Sequence, residues 1–158
     1  MIKEFIKKKW VKNAGIALLC ILCVYSLIYI DVVLRARSAY IEGEKYWQWH
    51  ANPGQKEGAL LAEFNKEKSV IDKKLEKGKI TKEEYGRQLD ILKFNHEEKL
   101  KESSIKYAYV WYQTAVELFS PPESRWVRLS REKMPKAKEL WKKELTEKGI
   151  PFEDYMLE

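Results

Sequence analysis

Apolar residues dominate positions 14–34, and no other part of the chain shows this pattern. Asp31 is the only charged residue in the segment. About 20 helical residues, each rising about 1.5 Å, cross a hydrocarbon core of roughly 30 Å. A helix buried in a soluble domain rarely stays apolar on all sides over such a length. The pattern therefore predicts a transmembrane helix over residues 14–34.

A cleaved signal peptide is the alternative, because lysines precede the apolar segment. The segment is long for a signal sequence, however, and Arg37 interrupts the small residues Ala36 and Ser38 where a cleavage site would be expected. Leu19 and Leu22 precede the two cysteines, whereas a lipoprotein signal needs a small residue there. We therefore expect an uncleaved anchor.

Charges on both sides of the span predict its orientation. Five lysines precede it, and Arg35 and Arg37 follow it. Cytoplasmic flanks carry an excess of basic residues. We therefore expect residues 1–13 to form a cytoplasmic basic tail, with the rest of the chain outside the plasma membrane, which we take to be a bacterial inner membrane.

Periodicity beyond the span predicts further helices. Residues 36–50 contain no proline and continue the membrane helix, and Asn52-Pro53-Gly54 is the first break. A second helix is expected over 53–77. The apolar residues at heptad-like spacing on this helix, its predicted seam, are Leu61, Phe64, Ile71 and Leu75. Gly78 ends it, and Thr81 caps a third helix that extends to residue 119.

Helix lengths suggest how these segments pair. Residues 53–77 match the first part of the third helix in an antiparallel hairpin. The rest of the third helix, 107–119, has no partner in that hairpin. It matches 36–50 in length and would pair with it if the chain continues away from the membrane at the Asn52 break. A reversal at Pro53-Gly54 is the open alternative.

The last 39 residues predict short helices. Ser120 and Glu123 form a capping-box pattern around two prolines, and Pro135 is expected to open another helix. Gly149 before Ile150-Pro151 ends that helix. We therefore expect an all-α protein in which a single-pass transmembrane helix continues into a long extracytoplasmic antiparallel hairpin. Its divisions are 1–13 (basic tail), 14–34 (span), 35–119 (juxtamembrane helix and hairpin) and 120–158 (short helices and acidic tail).

One segment resembles a known family. Residues 71–92 read Ile-Asp-Lys-Lys-Leu-Glu-Lys-Gly-Lys-Ile-Thr-Lys-Glu-Glu-Tyr and then Leu-x-x-Leu. This resembles the short helical hairpin of the SHOCT family. The resemblance implies packing or oligomerisation and no chemistry.

Charge argues against a nucleic-acid partner. The 158 residues carry a formal net charge of +6. Residues 1–35 hold six basic and two acidic residues, so four of the six net charges lie at the anchor. The remainder mixes both signs, as solvated helical surfaces do, and lacks the clustered basic face of nucleic-acid-binding domains.

Reactive residues are few. Both cysteines, Cys20 and Cys23, lie in the span, where this spacing is more often apolar packing than a redox pair. The span has no histidine for haem, and His50 and His96 have no metal-site spacing. The chain contains no Gly-rich phosphate loop and no Gly-x-Ser-x-Gly or His-Glu-x-x-His motif. We predict no catalytic residue, cofactor or metal.

Aromatic residues carry the functional hypothesis, because they make up 13% of the chain and include six tryptophans. Tryptophan and tyrosine are frequent interface anchors. The candidate partner-binding residues are Tyr46, Trp47, Trp49, Tyr109, Trp111, Tyr112, Trp126, Trp141, Phe152 and Tyr155.

Three interpretations of these aromatic residues are open. The leading one is a non-enzymatic accessory or scaffold subunit whose partners are the lipid bilayer and other membrane or envelope proteins, or further copies of itself. The aromatic residues could instead fill an ordinary core. The third interpretation is an enzyme or electron-transfer component with a cofactor in the aromatic cluster near the membrane.

Overall fold

The computed structural model describes residues 9–157, which are helical apart from short connections. The five α-helices are α1 (Lys9–Ala51), α2 (Pro53–Glu76), α3 (Lys82–Lys101), α4 (Ser104–Leu118) and α5 (Arg125–Glu147). A 3-10 helix follows at Asp154–Leu157. The predicted all-α class is confirmed for these residues. The predicted basic tail, 1–13, lies mostly outside them.

α1 changes environment along its length. Every side chain from residue 12 to residue 31 is exposed, and the helix is long and apolar enough to cross a membrane. Ala36 and Ala39 farther along the same helix are fully or almost fully buried. The predicted continuation of the apolar helix through residue 50 is confirmed, so one uninterrupted element joins the apolar segment to the folded part.

The C-terminal half of α1 forms a three-helix bundle with α4 and α5. α4 runs antiparallel to α1, since Tyr107 stacks on Tyr46 at 5.2 Å and Tyr112 lies 6.0 Å from Tyr40. Residues within 107–119 thus lie beside residues within 36–50 of α1. α5 then runs parallel to α1, starting with Trp126 beside Tyr40 at 5.6 Å.

Small residues allow the three helices to approach closely. Ala108, Ala115 and Ala137 are completely buried where the helices meet. At Gly43, an added Cβ would lie 2.6 Å from the Tyr112 ring. Only glycine therefore leaves room on α1 for this aromatic side chain of α4.

α2 and α3 pack on each other beyond the bundle. Their side chains meet in antiparallel order, with the Tyr85 hydroxyl donating to Asp72 at 2.9 Å and Lys99 donating to Glu63 at 2.8 Å. Gly78 between them has φ +63°, a conformation that glycine adopts without strain. Because α2 packs mainly on α3, the chain does not reverse along α1 at Asn52.

The prediction of one unbroken helix from Thr81 to residue 119 is wrong. Thr81 caps α3 as expected, accepting from the Glu84 N–H at 3.2 Å. α3 ends at Lys101, Glu102 is extended, and Ser103 caps α4 by accepting from the Lys106 N–H at 3.2 Å. A serine that caps a new helix competes with continuation of the old one, and no proline is required.

The expected short C-terminal helices are also wrong, because α5 is one helix of 23 residues. Its cap is Ser124, which accepts from the Val127 N–H at 3.3 Å, and Ser120 plays no capping role. Pro135 lies inside α5 on its exposed side. Buried Val127 and Trp141 on either side of it hold both parts of the helix against the bundle, and this packing outweighs the helix-breaking tendency of proline.

Candidate partner-docking site

The candidate aromatic residues fall into different environments. Tyr109, Tyr112 and Trp141 are buried in the core of the bundle, with exposed fractions of 5%, 0% and 9%. Three further candidates pack against this core while remaining partly exposed: Tyr46, Trp47 and Phe152. The buried three act inside the chain, so they offer no surface to a partner in this conformation.

Tyr112 joins all three helices of the bundle through one carboxylate. Its hydroxyl donates to Glu44 of α1 at 2.6 Å, and Lys133 of α5 donates to both oxygens of Glu44 at 2.5 and 2.7 Å. Burial, reinforced by the Glu44 carboxylate, raises the pKa of Tyr112. The Lys133 ammonium also lies 5.4 Å from the Trp47 ring centroid. These contacts fix the register of the helices.

The other candidates lie nearer the surface. Trp49 packs edge-on against Tyr46 at 5.2 Å, while Trp111 and Trp126 are half-buried. Tyr155 is 70% exposed and is the one candidate that is open to solvent over most of its surface. The sequence prediction thus grouped core residues with surface residues because both lie in aromatic helices.

The α2–α3 pair carries an apolar surface that the sequence reasoning did not identify. Val70 on α2 is 50% exposed and Ile91 on α3 is 60% exposed. Together with buried Ile71 and Leu92 they line one groove of about 360 Å³. Phe94, 62% exposed, lies one helical turn beyond Ile91. We call the groove lined by Val70, Ile71, Ile91 and Leu92 the hairpin groove; its polar lining residues are Glu67, Lys74, Gln88 and Asn95.

One residue of the seam predicted for α2 was wrong, and for this reason the hairpin groove was not predicted. Leu61 was assigned to the seam, but it is 52% exposed, whereas Leu60 is 5% exposed and faces α3. Ile71 occupies the seam as predicted. A visible signal was the pair of adjacent apolar residues on each helix, Val70-Ile71 and Ile91-Leu92, because two neighbours on a helix cannot share one narrow seam.

A second cavity lies where the bundle meets the α2–α3 pair, with a volume of about 290 Å³. Buried Lys56 donates to the carbonyl oxygens of Leu100 at 2.9 Å and Glu102 at 2.6 Å. Burial lowers the pKa of Lys56. The ammonium thus caps the last turn of α3, as a basic group does favourably at a helix C-terminus. Tyr46 and Tyr107 form another wall of the cavity.

Groups with metal-binding or redox chemistry are dispersed. Among the described residues, no cluster of three or more His, Cys, Asp or Glu side chains is arranged to hold a metal ion. His96 packs beside Phe64 at 5.1 Å, as a histidine in a helical seam does, and His50 is exposed. Cys20 and Cys23 are free and exposed on the apolar part of α1.

Comparison with known protein families, with curated proteins and with solved structures gives no match for this chain.

Proposed function

We propose that this protein is a non-enzymatic, single-pass accessory or scaffold subunit, anchored in a bilayer by α1, whose α2–α3 pair docks a partner protein of a larger membrane or envelope complex. The observation that carries the proposal is the hairpin groove. It is an apolar surface displayed at the end of a helical assembly whose own aromatic core is already filled.

The apolar part of α1 supports the anchor. Its exposed residues include Leu19, Leu22 and Leu27, at 61%, 54% and 67% exposed, and no other part of the described chain covers them. Burying apolar surface is worth roughly 25 cal/mol per Å², so a helix bare on all sides is strongly favoured in a hydrocarbon environment. The lysines that precede it support an N-terminus in the cytoplasm.

The hairpin groove supports a protein partner. A pair of antiparallel helices buries a single seam and leaves the apolar residues beside it in water. A third amphipathic helix lying along Val70 and Ile91 would cover them, in the helix-in-groove mode of recognition. The resemblance of residues 71–92 to the SHOCT hairpin supports the same role, because it implies packing or oligomerisation. We therefore propose an amphipathic helix of another membrane protein as the occupant.

A photo-crosslinking residue placed at Ile91 tests the docking surface. In native membranes it should yield a discrete adduct with one partner protein, identified by mass. The same residue at Leu61 is the matched control, because Leu61 is similarly exposed but is not part of the hairpin groove. Equal adducts at both positions, or adducts at neither, would refute the hairpin groove as a docking surface.

A substitution in the hairpin groove measures its contribution to the affinity for the partner. Val70→Ser should weaken association with the cross-linked partner about tenfold or more, as loss of an interface anchor does. Leu61→Ser removes a similar apolar side chain elsewhere and should leave the affinity unchanged. Circular dichroism of both variants checks that the helices are intact.

A further inference from the structure

Arginine and lysine are distributed differently along the chain. The chain has six arginines, and Arg87 on α3 is the single one in the α2–α3 pair. The other five lie at the end of the bundle next to the apolar segment of α1: Arg35, Arg37, Arg125, Arg128 and Arg131. The α2–α3 pair uses lysine for almost all of its positive charge.

This end of the bundle lies level with the end of the apolar segment. Tyr112 of α4 lies beside Tyr40, and α4 runs back along α1 at about 1.5 Å per residue. Leu118 therefore comes level with about residue 34 of α1. Val32 and Val33 are half-buried, whereas every side chain from 12 to 31 is exposed. Packing against the rest of the described chain therefore begins at the last turn of the apolar segment.

Three of the five arginines have no carboxylate partner among the described residues: Arg37, Arg125 and Arg128. The guanidinium groups of Arg37 and Arg125 lie 5.7 and 5.6 Å from the Trp126 ring centroid, and the Arg128 side chain is exposed one turn along α5. The other two are already paired, Arg35 with Asp31 and Arg131 with Glu123. Glu117 and Glu132 are carboxylates of the same end without a cationic partner among the described residues, so they offset part of this charge, and the unpaired groups leave the end net positive.

Apolar side chains accompany the charge. Leu118 at the end of α4 is 70% exposed. Trp126 is half-buried between its two arginines. Tryptophan favours the boundary between hydrocarbon and headgroups, where its ring is amphipathic. An exposed leucine at the same level suits the upper hydrocarbon better than water.

We propose that Arg37, Arg125 and Arg128, with Trp126 and Leu118, bind the phosphate groups of anionic phospholipids, so that the base of the bundle rests on the membrane surface. The guanidinium fork binds phosphate through two parallel hydrogen bonds, whereas lysine binds it as a point charge. This preference explains why arginine is concentrated at this end. The inference rests on the proposed span but holds for either orientation.

The test uses the full chain in mild detergent with phosphatidylglycerol added as the probe. Native mass spectrometry counts the lipids retained. The triple variant Arg37→Gln, Arg125→Gln, Arg128→Gln should retain at least tenfold less phosphatidylglycerol than the wild type, and phosphatidylcholine retention should be low and equal in both. The matched control is Lys66→Gln, Arg87→Gln, Lys93→Gln, which removes the same charge from the exposed surface of α2 and α3.

Each outcome decides the proposal. Loss of lipid in the arginine triple variant alone supports it, provided that circular dichroism shows unchanged helicity. An equal loss in both triple variants would show a net-charge effect, and displacement of the lipid by an equal concentration of inorganic phosphate would show a free-anion site; either result overturns it. Release of the wild-type protein from membranes by alkaline carbonate would instead refute the span, and with it the proposed function.

Discussion

At the scale of single residues, the contact between Gly43 and Tyr112 sets the distance between α1 and α4. The Tyr112 ring occupies the space that a side chain at position 43 would need. Its hydroxyl donates a hydrogen bond to Glu44, the residue that follows Gly43. The position of the Tyr112 ring, and with it the hydrogen bond, therefore requires a residue without a Cβ at position 43.

Gly43→Ala should lower the free energy of unfolding by about 1–3 kcal/mol, as overpacking of a tight core does. The added methyl would meet aromatic carbons at 2.6–2.7 Å. Gly58→Ala in α2 is the control, since a Cβ there meets nothing within 4 Å, and it should stabilise by about 0.5–1 kcal/mol. Denaturant unfolding of the detergent-solubilised chain measures both, and a stabilising Gly43→Ala would contradict the packing described.

Tyr112 should make the fold sensitive to alkali. Its pKa is raised above 10.0 in the folded state, so its contribution to stability is complete below pH 10 and is lost as the pH rises towards the folded value. Between pH 10 and pH 11 the wild type should lose about 1 kcal/mol more than Tyr112→Phe. Denaturant unfolding at both pH values measures the difference. Tyr155→Phe, at a 70% exposed position, should keep the wild-type dependence.

The sequence could not assign Tyr112 to the core. Tyr109, Trp111 and Tyr112 are neighbours of similar character, yet Tyr109 and Tyr112 are buried while Trp111 is half-buried, and the Tyr112 ring fits because the facing residue is Gly43. A core position and an interface position both favour large aromatic residues. The distinction needs the three-dimensional pairing of α1 with α4.

At the scale of helices, the junction between the bundle and the α2–α3 pair depends on Lys56. Its ammonium satisfies two carbonyl oxygens where α3 ends, and only two residues separate Lys101 from the start of α4 at Ser104. Orphan carbonyls at a helix end are a site of fraying.

Lys56→Met should lower the free energy of unfolding by about 1 kcal/mol or more, because two hydrogen bonds from a charged donor are lost. Amide hydrogen exchange around residues 101–106 should quicken more than exchange in α5. Lys66→Met on the exposed side of α2 is the control and should change stability by less than about 0.5 kcal/mol. An identical exchange pattern in both variants would show that Lys56 does not hold the junction.

Most helix ends were predictable, and the two exceptions have different causes. The break at Asn52-Pro53, the turn at Gly78 and the stop at Gly149 follow local backbone rules, and all three occur as expected. Pro135 does not end a helix, because packing on both sides of it keeps α5 whole. The break at Ser103 does follow a local rule, the serine N-cap, and the hydrogen bonds from Lys56 stabilise the end of α3 beside it.

At the scale of the whole molecule, the proposed topology makes a direct prediction. With the N-terminus inside, protease added to intact spheroplasts should remove the chain beyond α4 and spare a tag placed before residue 9. The five preceding lysines supply the physical reason. A protected C-terminus together with a cleaved tag would reverse the orientation. It would leave the span and the hairpin groove in place.

The unbroken course of α1 has a mechanical consequence. The helix enters the bundle with no flexible joint, because Gly43 is held by the Tyr112 ring. In the proposed anchored state, a change in helix tilt is transmitted to the far tip of the α2–α3 pair. About 17 residues of α1 beyond the span and about 24 of α2 give a reach of up to roughly 60 Å. A tilt of about 10°, within the range that bilayer thickness imposes, would move that tip by about 10 Å. Bilayer thickness would thus set the position at which the protein meets its partner.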